Sequence, residues 1–143
     1  MAFRTATAHW EGSVQEGSGN IALGSGAFSG PYSYKSRIEE TPQTNPEELI
    51  GAAHAGCFTM ALASQLSQQG HPPTRLDTSA KVQLVRETGG LTIKQIDLVT
   101  EGVVPGIDDA TFQKLAQAAK ENCPVSKALA GTHITLQATL AQT

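Results

Sequence analysis

The sequence predicts an α+β fold, with strands on both sides of a single very apolar helix. Three observations predict it. Residues 44–70 read as one long helix with clear start and stop signals, and no charged side chain occurs from Leu49 to Gln69. Residues 5–39 and 76–104 carry strand patterns broken by glycine-rich turns. A last alternating stretch, residues 132–140, closes the chain after two shorter helical segments. At 143 residues this is the size of one domain, with no repeat or linker.

In chain order, residues 4–39 read as a β-meander. The first strand is expected at about 5–11, with Gly12 starting the turn. A short second strand at 20–23 lies between glycine-rich stretches. The third, at 31–39, alternates Tyr32, Tyr34, Ser36, Ile38 against Ser33, Lys35, Arg37, Glu39, which places Arg37 near its end. In the long helix Asn45 is a capping residue, Pro46 sits where a missing N–H costs nothing, and Glu48 follows three residues after the cap. Gly70 followed by Pro72 and Pro73 ends it. Such a helix is roughly 37 Å long. Leu49, Ala53, Gly56, Met60 and Ala63 mark one face, and Ile50, Ala52, Phe58, Leu62 and Leu66 make the others apolar or small. A helix apolar all round is expected to be buried on all sides.

Beyond it, residues 76–87 and 91–104 form a hairpin around Gly89-Gly90, with Ala80, Val82, Leu84 and Arg86 on one face and Ile93, Ile96, Leu98 and Val103 as apolar partners. Asp108 or Asp109 caps an amphipathic helix at 110–121, whose Phe112, Leu115, Ala116 and Ala119 share a stripe. Cys123 is then the N-cap of a short third helix with Pro124 at its first position. One small sheet cannot cover so apolar a long helix. Its small residues Ala52, Ala53, Gly56, Ala61 and Ala63 admit a second helix closely, so a homodimer is expected.

The net charge is −3 and the isoelectric point near 5.7, which gives no electrostatic reason to expect a nucleic-acid or membrane partner. The opening M-A-F-R-T-A-T-A-H-W has no long apolar run, so no signal peptide is expected. The long helix has the length of a membrane span, but Gly51, His54, Gly56, Thr59, Ser64, Gln65 and Ser67 leave it poorly hydrophobic. A cytoplasmic protein follows, and in that compartment a cysteine pair is more often catalytic or metal-binding than structural.

The chain has 2 cysteines, Cys57 and Cys123. Cys57 lies mid-helix, too far from the helix N-terminus for its dipole to help, and apolar surroundings raise a thiol's pKa. A thiolate there needs a cation, and Arg37 is a candidate. Cys123, at a helix N-cap, sits where partial positive charge favours a thiolate. Taken alone, Cys57 also fits a small core residue. His54, Cys57 and Cys123 are a conceivable ligand set, but no C-x-x-C or H-E-x-x-H occurs, and His54 reads better as a core or interface histidine.

The segment N-P-E-E-L-I-G-A-A-H-A-G-C-F-T-M-A-L, with C-P-V-S-K-A-L following 66 residues after the first cysteine, resembles the osmotically inducible protein C (OsmC) family of hydroperoxide reductases. The opening A-H-W-E-G, V-P-G-I-D before the second helix, and the closing strand extend the resemblance along the chain. His54 in the helix motif and an arginine late in the third strand place it nearer the OsmC branch than the organic-hydroperoxide-resistance branch. The resemblance implies a thiol-dependent peroxidase for organic hydroperoxides. It makes Cys57 the peroxidatic and Cys123 the resolving cysteine, with Arg37 and Glu47 as activating residues. It implies an intertwined homodimer, two strongly bent antiparallel sheets around two central helices. A dithiol or dihydrolipoyl protein is the implied reductant, and no metal, haem or flavin is implied. Ile50, Leu49, Phe58 and Phe112 are candidates to line an alkyl pocket. Ten residues of one helix separate Glu47 from Cys57, so either the helix breaks near Gly51 or Glu47 serves a partner chain. The competing reading is a stress-induced dimer that senses redox state or binds without useful turnover.

Overall fold

The structure is a computed structural model describing residues 1–141. The chain divides into two compact units, Met1–Leu49 and Ile50–Thr143.

In the first unit, β1 (Ala6–Glu11), β2 (Ser18–Leu23) and β3 (Ser29–Tyr32) form the expected antiparallel meander. Its register pairs His9 with Asn20 and Ile21 with Gly30. Trp10 and Tyr32 meet edge to face, with ring centroids 5.4 Å apart. They close over Gly19, where a side chain would strike both rings. The third strand stops well short of the expected residue 39. Residues Tyr34–Ile38 instead form a helical turn, α1. The cause is local: the Ser33 hydroxyl accepts the Ser36 N–H, and the Ser36 hydroxyl accepts the Ser33 N–H. This reciprocal capping box outweighs the alternating pattern. Arg37 therefore sits on a helix rather than at a strand end.

The long helix α2 runs Pro46–Gln68 without a break. Asn45 caps it, its side-chain oxygen accepting the Glu48 N–H at 2.8 Å. Beyond its end Gly70 takes a φ of +81°, a conformation that favours glycine.

The second unit holds a three-stranded sheet in the order β4 (Arg75–Glu87), β5 (Gly90–Val103), β6 (His133–Leu140). β4 and β5 are the predicted hairpin, and Gly90 begins β5 with a φ of +125°. β6 pairs parallel to β5, so the expectation of antiparallel sheets fails at this one pair. The reason is the crossover: α3 (Asp109–Asn122) and α4 (Pro124–Ala128) carry the chain back before β6 begins. The predicted spacing of β5 also acquires a cause. Gln83 pairs with Gln95 but Leu84 with Ile93, leaving Lys94 as an extra, exposed residue. That bulge turns both Ile93 and Ile96 inward, although an even alternation would oppose them. Arg86, past the bulge, is exposed rather than inward.

The core joins three elements of this unit. Phe58, Leu62 and Leu66 come from α2, Ile96 and Leu98 from β5, and Phe112, Leu115, Ala116 and Ala119 from α3. Fully burying each of the larger side chains stabilises by about 1.5–3 kcal/mol. The four predicted apolar positions of α3 are all buried. α2 is covered on one face only, along Gly51, His54, Phe58, Leu62 and Leu66. Ala52, Ala53, Gly56 and Met60 stay exposed, Met60 at 77%, so burial on all sides is not reached within one chain. By length and composition α2 could cross a bilayer, but its largest apolar side chains fill this core.

Candidate active site

Two groups of predicted residues come together, one in each unit. In the first, Arg37 on α1 meets Glu47 in the first turn of α2. The contact is bidentate: Arg37 Nε donates to Glu47 Oε1 at 3.1 Å and Nη2 donates to Oε2 at 2.8 Å. The Glu47 side chain is 8% exposed and that of Arg37 35%. The hydrogen bond donated to the Glu47 carboxylate, against a smaller cost of burial, raises the guanidinium's pKa. Asn45, the α2 cap, also donates to the Ser36 carbonyl and ties α1 to that helix start. Arg37 at the same time walls a cleft of about 180 Å³ with Trp10, Val14, Tyr32, Ser33 and Tyr34. A fork held on one side by a carboxylate, beside aromatic faces, suits a polar group attached to an apolar body.

In the second unit, Cys57 Sγ and Cys123 Sγ lie 2.8 Å apart as free thiols. Cys57 comes from the middle of α2 and is partly exposed, whereas Cys123, between α3 and α4, is fully buried. Their environments push them in opposite directions. Burial, then the hydrogen bond with Cys123, raises the Cys57 pKa. Burial also opposes a Cys123 thiolate, but hydrogen bonds from the Cys57 thiol, the Ser126 hydroxyl and the backbone N–H groups of Ser126 and Val125 outweigh it and lower the pKa. Both directions are those that the positions in the sequence predicted. Within this unit the surroundings favour a thiolate at Cys123 over one at Cys57, and a Cys57 thiolate needs a cation brought to it.

The expected alkyl-pocket lining changes. Phe58 and Phe112 are fully buried core residues, and Ile50 packs against that core. They fill space rather than border it. A cleft lies instead among aromatic residues of the first unit, which no pattern in the sequence marks. Ser126 was also passed over, although C-P-V-S sets it three residues after a helix N-cap, where a side chain turns back toward the cap. His54 is indeed a core histidine: its Nε2 lies 2.8 Å from Ser126 Oγ, and its buried Nδ1 has no partner among the described residues. Among the described residues no group of three or more His, Cys, Asp or Glu is placed to hold a metal ion.

Comparison with known proteins finds relatives over most of the chain. The chain is 48% identical over 123 residues to the peroxiredoxin OsmC of Escherichia coli strain K12, covering 85% of this chain and 86% of that one. It is 34% identical over 89 residues to an organic hydroperoxide resistance protein of Xanthomonas axonopodis pv. citri, covering 62% of this chain and 61% of the other. Among solved structures, the organic hydroperoxide resistance protein OhrB of Bacillus subtilis superposes with a TM-score of 0.71 at 27% identity, covering 96% of this chain and 98% of that one. An OsmC-like protein of unknown function from Vibrio cholerae has the same fold, with a TM-score of 0.77 at 17% identity over 96% of this chain and 99% of its own. The OsmC-like protein family model matches residues 39–138, and with that match the chain belongs to the OsmC-like protein family.

Proposed function

We propose that this chain is a thiol-dependent peroxidase that reduces organic hydroperoxides through Cys57 and Cys123. The observation that carries the reading is the 2.8 Å approach of two free thiols brought together across 66 residues of sequence. The family relationship supports it: the relatives are named as a peroxiredoxin and as organic hydroperoxide resistance proteins.

A Cys57 thiolate attacks the distal peroxide oxygen, the O–O bond breaks, and an alcohol leaves as Cys57 becomes a sulfenic acid. Cys123 attacks that sulfur, water leaves, and a disulfide forms. A dithiol, free or as a dihydrolipoyl protein, reduces it. Partial exposure suits Cys57 to meet peroxide, and burial suits Cys123 to resolve it. The guanidinium of Arg37, pinned by Glu47, is the cation that favours a thiolate at Cys57 and orients the peroxide.

The active protein is a homodimer in this reading, supported by the exposed small-residue face of α2 at Ala52, Ala53, Gly56 and Met60. A soluble, cytoplasmic setting accompanies it, where reductants return the pair to free thiols between turnovers. The test is consumption of cumene hydroperoxide and tert-butyl hydroperoxide with dithiothreitol, by the wild-type protein and by Cys57→Ser. Turnover that disappears with Cys57 supports the peroxidase. A protein whose cysteines oxidise once without turnover is a redox sensor or binding dimer instead.

A further inference from the structure

We propose that His54 and Ser126 form a buried relay to Cys123, in which the His54 ring fixes the Ser126 hydroxyl so that its proton points at the Cys123 sulfur and stabilises the Cys123 thiolate. The proposal rests on the peroxidase cycle above and assigns both residues as positioning residues for the resolving thiol.

The geometry carries it. His54 is fully buried, one helical turn before Cys57 on α2. Its Nε2 lies 2.8 Å from Ser126 Oγ, although 72 residues separate the two. Its Nδ1 is buried with no hydrogen-bond partner among the described residues. A neutral imidazole has one N–H and one bare nitrogen. If Nδ1 carried the hydrogen, a buried N–H would be orphaned; if Nε2 carries it, only an acceptor lone pair is left unused. Orphaned buried N–H groups are the rarer and costlier case. The hydrogen therefore lies on Nε2, which donates to Ser126 Oγ. With that lone pair occupied, the serine's own hydrogen is left to turn back toward Cys123, the N-cap three residues earlier on the same short helix, and the hydroxyl is among the groups that lower the Cys123 pKa.

Burial with no charged neighbour holds His54 below its ordinary pKa, so it is neutral. The groups that face Cys123 are few. They are the Cys57 thiol from α2, and the Ser126 hydroxyl with the N–H groups of Val125 and Ser126 from α4. From α3, Ala119 accepts the Cys123 backbone N–H, and Lys127 beyond Ser126 is exposed. No carboxylate or cation is among the main causes of the shift of either His54 or Cys123.

The consequence falls on one half of the cycle. A reductant reaches the partly exposed Cys57 sulfur, not the buried Cys123 sulfur. Its thiolate bonds to Cys57 Sγ, the S–S bond breaks, and the electron pair leaves on Cys123. The second reductant thiol then attacks the mixed disulfide and frees Cys57. The reductant departs as a disulfide, and its two protons end on the two protein thiols. A better-stabilised leaving thiolate leaves faster. The attack of Cys57 on peroxide makes no bond to Cys123, so loss of the relay does not slow it.

The experiment measures kcat/KM separately for cumene hydroperoxide and for dithiothreitol in wild type, Ser126→Ala, Ser126→Thr, His54→Leu and His54→Gln. Ser126→Ala and His54→Leu are expected to lower kcat/KM for dithiothreitol roughly three- to tenfold, with that for hydroperoxide within about twofold. Ser126→Thr keeps the hydroxyl, and His54→Gln keeps an N–H near the Nε2 position, so both recover much of the loss. A proportional fall in both constants, or no fall for dithiothreitol, overturns the relay. A second readout needs no turnover: in Cys57→Ser protein, the thiolate absorbance of Cys123 is titrated with and without Ser126→Ala. The midpoint is expected to rise on loss of the hydroxyl, and an unchanged midpoint overturns the relay. If the wild-type protein consumes no hydroperoxide, the peroxidase reading falls and this titration alone decides the relay.

Discussion

Glu47 holds Arg37 by two parallel hydrogen bonds, from Nε at 3.1 Å and from Nη2 at 2.8 Å, with the carboxylate nearly buried and the guanidinium a third exposed. A lysine can match the charge but not the fork. Arg37→Lys is therefore expected to keep the fold and lose most hydroperoxide turnover, by an order of magnitude or more. Steady-state rates alongside a circular dichroism spectrum check this, and near-wild-type turnover removes Arg37 from the mechanism.

The two cysteines should separate by function. Cys57→Ser is expected to abolish peroxide consumption. Cys123→Ser should give one attack per chain and then stall, because no thiol resolves the sulfenic acid. Mass spectrometry of the stalled protein should find Cys57 as a sulfenic or higher acid. Oxidation of Cys123 in Cys57→Ser protein, at the rate expected of the first attack, reverses the roles.

The Arg37–Glu47 pair is expected to serve the Cys57 of a partner chain. α2 is unbroken from Pro46 to Gln68, so the option of a break near Gly51 is closed. Ten helical residues correspond to about 15 Å of rise. Mixing Glu47→Gln chains with Cys57→Ser chains tests the idea. If the pair acts across the interface, a heterodimer gathers both lesions in one site and leaves the other intact, so activity returns. Mixing that restores nothing shows that the pair acts within its own chain.

Stability should depend on pH through His54. Burial lowers its pKa in the folded chain, whereas in the unfolded chain it titrates near 6.5. Above that value both states hold a neutral ring and the contribution is complete. As pH falls below it, the unfolded chain takes up a proton first, and stability drops until pH passes the folded pKa, by at most about 1.4 kcal/mol per pH unit. Urea midpoints at about pH 7.5 and about pH 5.5 should diverge in wild type and converge in His54→Gln. An equal fall in both proteins assigns the dependence elsewhere.

The aromatic cleft gives a specificity test. Trp10 lines it together with Arg37. Trp10→Ala is expected to raise KM for cumene hydroperoxide several-fold and to change that for hydrogen peroxide little, since only the former has an aryl group to bury. Equal effects on the two substrates place the organic group elsewhere.

Features decided within a few residues were readable from the sequence. The Asn45 cap, the Gly70 stop, the Gly90 hairpin and the buried stripe of α3 each rest on local chemistry. The α1 turn was not, because Y-S-Y-K-S-R-I satisfies an alternating pattern and also places serines at cap spacing. Only the Ser33–Ser36 hydrogen bonds distinguish the two. The parallel return of β6 depends on where a crossover lands, which no single stretch encodes. Of the candidate site, the cysteines were recognisable by motif. Ser126 had a usable signal in its spacing from Cys123, whereas its meeting with His54 is a matter of tertiary structure.

Lys94 shows a freedom of another kind. It is exposed, and its ammonium reaches Glu87 at 3.3 Å, so almost any side chain can stand in its place. The residue itself can also be spared. Without that extra unit of chain Gln95 follows Ile93 directly, the ladder to Gln83 and Leu84 becomes regular, and Ile93 and Ile96 stand two apart, so plain alternation keeps both inward. The position is insensitive to spelling and tolerant of omission: a site that a substitution scan and a deletion scan would both score as near-silent.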